Sequence, residues 1–182
     1  MLLLKRLFGK ADRGHEEVRP LWHRSVELAR KPEWFTRGGI ADTVEGRFDA
    51  VTLVLALVML RLDGDDALRA PSARLTELFV DDMDGQLRQS GVGDLVVGKH
   101  VGKLMGALGG RIEALKAALA KADDADLIAA IERNVTLNEG ADTAFLAAEL
   151  RAMAARFAAT ANADLLAGRI AVGSLVGAAT AE

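Results

Sequence analysis

The sequence contains no cysteine, which excludes disulfides, thiolate metal sites and a cysteine nucleophile. It has no tyrosine and only 4% aromatic residues, although 51% of its residues are hydrophobic, so we expect a core of alanine, leucine and valine. Only 3 prolines occur in 182 residues, and long segments rich in Ala, Leu, Glu and Arg are typical of helices. No segment alternates apolar and polar residues as a strand does. The sequence therefore predicts a single all-α domain.

The sequence also has no excess of basic residues, and it has no apolar segment long enough to span a membrane. The net charge of −3 lacks the electrostatic footprint of a nucleic-acid-binding protein, so we expect no direct nucleic-acid partner. The longest uncharged apolar run, Ala50–Leu60, has 11 residues, whereas a transmembrane helix needs roughly 17–25. We therefore interpret this run as part of a helix buried at the centre of a bundle.

Apolar periodicity predicts a compact bundle of about six to seven helices around that central helix. We expect a flexible or amphipathic N-terminal segment over 1–14, a helical domain over 15–170 and a frayed tail over 171–182. The predicted helices cover about Glu16–Arg30, a segment from a cap at Asp42 or Thr43 to Leu62, a segment from Pro71, a segment after Asp94, a short one around Leu127–Ile131, about Asp142–Ala161, and about Ala163–Ile170.

The segment 93–100 approaches the phosphate-binding loop G-x-x-x-x-G-K-[ST]. His100 follows Lys99 where the loop needs Ser or Thr for magnesium, and the preceding residues form a helical pattern where the loop needs a strand. We therefore interpret the glycines structurally, with Gly91 closing one helix and Asp94 capping the next. The structural motif comprises Gly91, Gly93, Asp94, Gly98 and Gly110. A nucleotide-dependent enzyme remains a rival hypothesis, which predicts ATP binding that is lost in Lys99→Ala.

Four glycines, Gly98, Gly102, Gly106 and Gly110, recur every fourth residue along one face of the predicted fourth helix. Each costs roughly 0.8–1 kcal/mol relative to alanine, or about 3–4 kcal/mol together. We expect the close approach of another helix to offset this cost. The alternative is that the glycines make the helix pliable, which would suit a protein that adjusts to a client.

The N-terminal segment MLLLKRLF combines apolar and basic residues. Leu3, Leu4, Leu7 and Phe8 are the residues predicted to contact an anionic membrane surface. The alternative is a disordered or self-packed terminus.

The remaining polar motifs do not combine into a catalytic site. The acidic segment Asp81–Asp84 lacks the downstream glutamate of a calcium loop, and Ser174 lies outside any nucleophile pattern. We therefore expect a binding protein and not an enzyme, without a metal or another cofactor.

Three segments together resemble the ubiquinol–cytochrome c chaperone family: ARKPEWFTRGGIADTVEGRFD, DDMDGQLRQSGVGDLVVGKHVGKL and GGRIEAL. The resemblance extends over roughly Val18 to Ile170. It implies an all-helical assembly chaperone of complex III, which binds newly made cytochrome b, in mitochondria together with a small partner chaperone. The chain begins without a transit-type extension, so we expect a bacterial member that is cytoplasmic or peripheral at the inner membrane.

The resemblance suggests which residues bind a client or partner protein. Trp34 and Phe35 are the predicted aromatic contacts, and the charged candidates are Arg47, Asp84, Arg88 and Lys99. The alternative for each charged residue is an ion pair within the chain. A competing function is a helical carrier of a lipid or quinone, which predicts an enclosed apolar cavity and co-purifying lipid.

Overall fold

The computed structural model describes the backbone of residues 2–89 and 94–170, and the side chains of 14–86, 88–89 and 98–170. This part of the chain is helical, with one isolated antiparallel bridge between Ile40 and Leu137, which confirms the predicted all-α class. The helices are α1 (Leu2–Ala29), α2 (Glu33–Thr36), α3 (Val44–Asp63), α4 (Arg69–Gln89), α5 (Asp94–Leu119), α6 (Ala125–Asn134), α7 (Thr143–Ala159) and α8 (Asn162–Leu166), with a 3₁₀ turn at Asp66–Leu68.

The central element is α3, as the uninterrupted apolar run predicts. It starts at Thr43, whose hydroxyl oxygen accepts a hydrogen bond from the Gly46 amide at 3.2 Å. Every residue from Thr52 to Met59 is buried, and α3 packs against α1, α4, α5 and α7. Since the helix is apolar on all sides, only a surrounding layer of helices can remove it from water.

The surrounding helices bury one face each. On α4, Leu75, Leu78 and Phe79 are buried, and the Phe79 ring meets Trp22 of α1 edge-on with the centroids 5.9 Å apart. Asp142 caps α7 by accepting a hydrogen bond from the Phe145 amide at 2.9 Å. These elements lie where the spacing of apolar residues predicts them.

The first helix differs from the expectation because α1 begins at Leu2, well before the predicted start at Glu16, and continues through Pro20. Leucine, lysine and arginine in its first turns are good helix formers. The end of the domain crosses α1 at the proline: a Cβ on Gly168 would lie 2.7 Å from the Pro20 carbonyl oxygen, and Arg24 donates to the Ile170 carbonyl oxygen at 3.0 Å. None of the helices in the described ranges is both long and apolar enough to cross a membrane.

Candidate functional site

The two aromatic residues predicted to contact a client, Trp34 and Phe35, have different environments in α2. Trp34 is only 2% exposed, and its indole N–H donates to the Leu28 carbonyl oxygen at 2.8 Å. Phe35 is half-buried at the edge of the core. Trp34 therefore anchors α2 to the end of α1, whereas part of the Phe35 ring is accessible from outside.

Two glycines allow α2 to fold back onto the start of α7. Gly39 has a φ of +77°, and a Cβ there would lie 2.6 Å from the Ala141 Cα. A Cβ on Gly38 would lie 2.7 Å from the Trp34 carbonyl oxygen. Both positions therefore exclude any larger residue, the first also through its left-handed backbone.

Phe35 and Arg47 are brought together at the junction of α2 and α3. The Nε of Arg47 lies 2.6 Å from Asp42 Oδ1, and both side chains are 59% exposed. The guanidinium carbon of Arg47 lies 5.5 Å from the centroid of the Phe35 ring, within cation–π range. Val44, in the first turn of α3, is 80% exposed. We call Phe35, Asp42, Val44 and Arg47 the α2–α3 corner, which presents apolar surface and one accessible ion pair.

The other charged candidates lie on α4 and α5. Arg88 Nε is 2.7 Å from Asp84 Oδ2, one turn away on α4. Lys99 is exposed on α5 and forms no ion pair within the described ranges. The ion pairs within the chain that were the alternative for Arg47, Asp84 and Arg88 are thus present, and client contact by these residues remains a prediction.

The glycine face of α5 is open, so the expected close approach of another helix is wrong for the described part of the chain. A Cβ built on Gly98, Gly102, Gly106 or Gly110 meets no described atom within 4 Å. The four-residue spacing does place these glycines on one face of α5. That face points away from the core side of the helix, where Leu108 and Leu115 are buried. Gly91, Gly93 and the side chain of Asp94 lie outside the described residues.

A buried charged network joins α3, α5 and the end of α6, and the sequence interpretation missed it. Arg111 is 7% exposed and Asp49 is 6% exposed. The Arg111 guanidinium donates to Asp49, to the Thr52 hydroxyl and, at 2.6 Å, to the Asn134 carbonyl oxygen. The other Asp49 oxygen accepts from the Thr136 amide at 2.8 Å and its hydroxyl at 2.7 Å. The network fixes these segments relative to one another.

One signal in the sequence could have revealed this network. Arg111 lies between Leu108 and Leu115 at spacings of three and four residues, on the apolar stripe of α5. A cation on such a stripe requires a buried anion. Asp49, on the N-terminal side of the apolar run of α3, is the residue that supplies it.

A second buried carboxylate, Glu149 of α7, has weaker support. It is 6% exposed, its Oε2 accepts no hydrogen bond from any described residue, and the Arg156 Nη2 lies 4.0 Å away. Burial raises the pKa of Glu149, and the cations Arg156, Lys31 and Arg37 offset only part of this effect. Glu149 is therefore an ionisable group that destabilises the fold when charged.

The four residues predicted to contact a membrane, Leu3, Leu4, Leu7 and Phe8, belong to the first turns of α1. Their side chains lie outside the described residues. Membrane contact by this segment therefore remains a prediction.

Comparisons with known proteins agree with the fold and with the sequence motifs. The family model described as "Ubiquinol-cytochrome C chaperone" matches residues 36–172. A crystal structure of the Cbp3 homolog from Brucella abortus superimposes with a TM-score of 0.78 at 28% identity, covering 96% of this chain and 98% of that one. No curated protein sequence matches. Because the family match covers most of the chain and includes the buried network, the protein belongs to the ubiquinol–cytochrome c chaperone family.

Proposed function

We propose that this protein is a non-catalytic assembly chaperone that binds newly made cytochrome b, or another hydrophobic respiratory subunit, during assembly of ubiquinol–cytochrome c reductase. The family match over residues 36–172 is the observation that carries this proposal. The similarity to the Cbp3 homolog along almost the whole of both chains supports it. A bacterial member would act on the cytoplasmic side of the inner membrane, either alone or with a small partner chaperone.

The α2–α3 corner is the proposed contact surface for the client. Val44 offers an exposed apolar side chain, and the half-buried Phe35 ring extends the apolar area. The exposed Arg47–Asp42 pair contributes little to stability, so either charge is available to a client at small cost. The buried Trp34 anchors α2, and with it Phe35, through its hydrogen bond to the Leu28 carbonyl oxygen.

The remaining candidates define two further proposed contacts. Lys99 on α5, and Asp84 with Arg88 on α4, would bind charged residues that flank the apolar segments of the client. Leu3, Leu4, Leu7 and Phe8 would place the chaperone at the membrane surface, where such a client is inserted.

The test is deletion of the gene, followed by measurement of cytochrome b and assembled complex III in membranes. We expect both to fall, and unchanged levels would contradict the proposal. Complementation with Val44→Asp should restore them only partly. An aspartate in the first turn of a helix favours the helix dipole, so this variant should fold while losing its apolar contact. The matched control is Ala70→Asp at an exposed position in the first turn of α4, which should restore both levels fully.

The carrier hypothesis makes a different prediction. It requires an enclosed apolar cavity, whereas the depression between the end of α1 and α4 is open and includes charged side chains such as Arg30 and Asp82. Mass spectrometry of the purified protein would show stoichiometric lipid or quinone if the protein were a carrier. We expect no stoichiometric lipid or quinone in the purified protein.

A further inference from the structure

A depression of about 780 Å³ lies between the last turns of α1, the turn that follows it and α4. This volume is in the range of small-molecule sites. Trp22 and Leu28 supply apolar wall, and both are nearly fully buried. The polar part of the lining includes Arg24, Glu27, Arg30, Lys31 and Asp82.

The depression gathers hydrogen-bond donors that have no acceptor. The Trp22 indole N–H makes no hydrogen bond within the described ranges, in contrast to that of Trp34. The Nε of Arg24 is buried and also lacks an acceptor there. Arg30 and Lys31 form no ion pair with any residue in the described part of the chain. Of these donors, Arg24 Nε is the one that is both buried and unpaired within the described residues, and such a donor is unusual because it loses its bond to water without replacing it.

The two carboxylates of the lining do not satisfy these donors. Glu27 Oε2 is engaged by Arg24 Nη1 at 2.6 Å, and Asp82 Oδ2 accepts from Gln86 at 3.0 Å. Arg24 and Glu27 therefore pair with each other, which leaves the cations Arg30 and Lys31 with Asp82 as the remaining acid of the lining. The depression is donor-rich, in a protein whose net charge is −3.

We propose that this depression binds the phosphate group of an amphiphile, as found in the headgroup of an anionic phospholipid. A phosphate offers several acceptor oxygens, which matches a tryptophan N–H, an arginine and a lysine better than one carboxylate does. Trp22 and Val26 would contact the glycerol part of such a molecule. The site uses none of the residues of the α2–α3 corner, and it does not depend on client binding.

The test uses the full chain labelled with ¹⁵N and follows the indole N–H resonances of its 2 tryptophans, assigned with Trp34→Phe. The probes are monomeric dihexanoyl-phosphatidylglycerol and, separately, inorganic phosphate. The lipid should move the Trp22 resonance downfield and leave that of Trp34 unchanged. Arg30→Ser combined with Lys31→Ser should weaken the apparent affinity by about tenfold or more, because two charge-assisted bonds are lost.

The matched control is Lys116→Ser combined with Arg133→Ser, which removes the same charge from exposed positions elsewhere. It should bind like the wild type. An equal response to inorganic phosphate supports the anion site and identifies free phosphate as its source. No Trp22 shift with either probe at millimolar concentration, or an undiminished shift in the Arg30/Lys31 variant, overturns the proposal.

Discussion

Arg111 of α5 and Asp49 of α3 form an ion pair in the core, with both side chains only 8% exposed. Breaking such a pair leaves one uncompensated buried charge, which costs about 3–5 kcal/mol. We therefore expect Arg111→Met to lower the free energy of unfolding by this amount in urea denaturation.

The double variant Asp49→Leu with Arg111→Met should lose less than the sum of the two single variants, since it leaves neither charge alone. Arg133→Met, at an exposed position of α6, is the control and should change stability by no more than about 0.5 kcal/mol. A similarly small effect of Arg111→Met would contradict the structural role of the pair.

The open glycine face of α5 predicts a stabilising substitution. A Cβ on Gly102 meets no described atom within 4 Å, so Gly102→Ala should raise the free energy of unfolding by about 0.8–1 kcal/mol. Gly39→Ala is the contrasting variant, since a Cβ there would meet Ala141 at 2.6 Å and φ is +77°. It should be destabilising. Thermal and urea unfolding of both variants measure this, and a loss of stability in Gly102→Ala would show that the face is covered in solution.

Glu149 predicts a specific pH dependence of stability. Burial raises its pKa above the ordinary value of 4.5. The cations Arg156, Lys31 and Arg37 lower the pKa in part, and the negative charge of Glu33 raises it further. The folded state therefore holds this proton more tightly than the unfolded state, and the contribution of Glu149 to stability falls as pH rises through the raised pKa. Relative to the wild type, Glu149→Gln should become more stable from pH 4.5 to 7 in urea denaturation. A difference that stays constant with pH would contradict this role.

Substitutions of Trp34 and Phe35 should have different effects on stability and on client binding. Trp34→Phe removes a buried hydrogen bond to Leu28 and leaves a partial cavity, so we expect a loss of about 1–3 kcal/mol. Phe35→Ala removes a half-buried ring and should lower stability less, while lowering recovery of cytochrome b with the tagged chaperone. Equal recovery with Phe35→Ala and the wild type would exclude Phe35 as a contact.

Much of the fold follows from local sequence. The apolar run of α3 has no polar face, which requires a central position, and Thr43 and Asp142 mark helix starts by side-chain caps that need only three residues of context. The segment between α1 and α3 is less predictable, since Trp34 is buried against the core and Glu33–Thr36 form a short helix.

Contacts between residues that are distant in the sequence could not be predicted from local patterns. Arg111 and Asp49 are 62 residues apart, and periodicity places each on a face without pairing the faces. The glycines of α5 show the same limit, because their spacing defines one side of the helix but not whether anything covers it. Val44 has the sequence position of an ordinary first-turn residue, and only the structure shows that it is exposed.

The contact of α1 with the end of the domain has a kinetic consequence. The hydrogen bond from Arg24 to the Ile170 carbonyl oxygen joins residues 146 positions apart. At a ribosomal rate of about 5–20 residues per second, the first helix waits roughly 7–30 s for this partner. The helices α3 and α4, which also pack against α1, are synthesised well before that, so the part of α1 that stays uncovered longest is the part that meets α8 and the end of the domain. The packing of the first helix is thus completed only after the last residues of the domain have been synthesised.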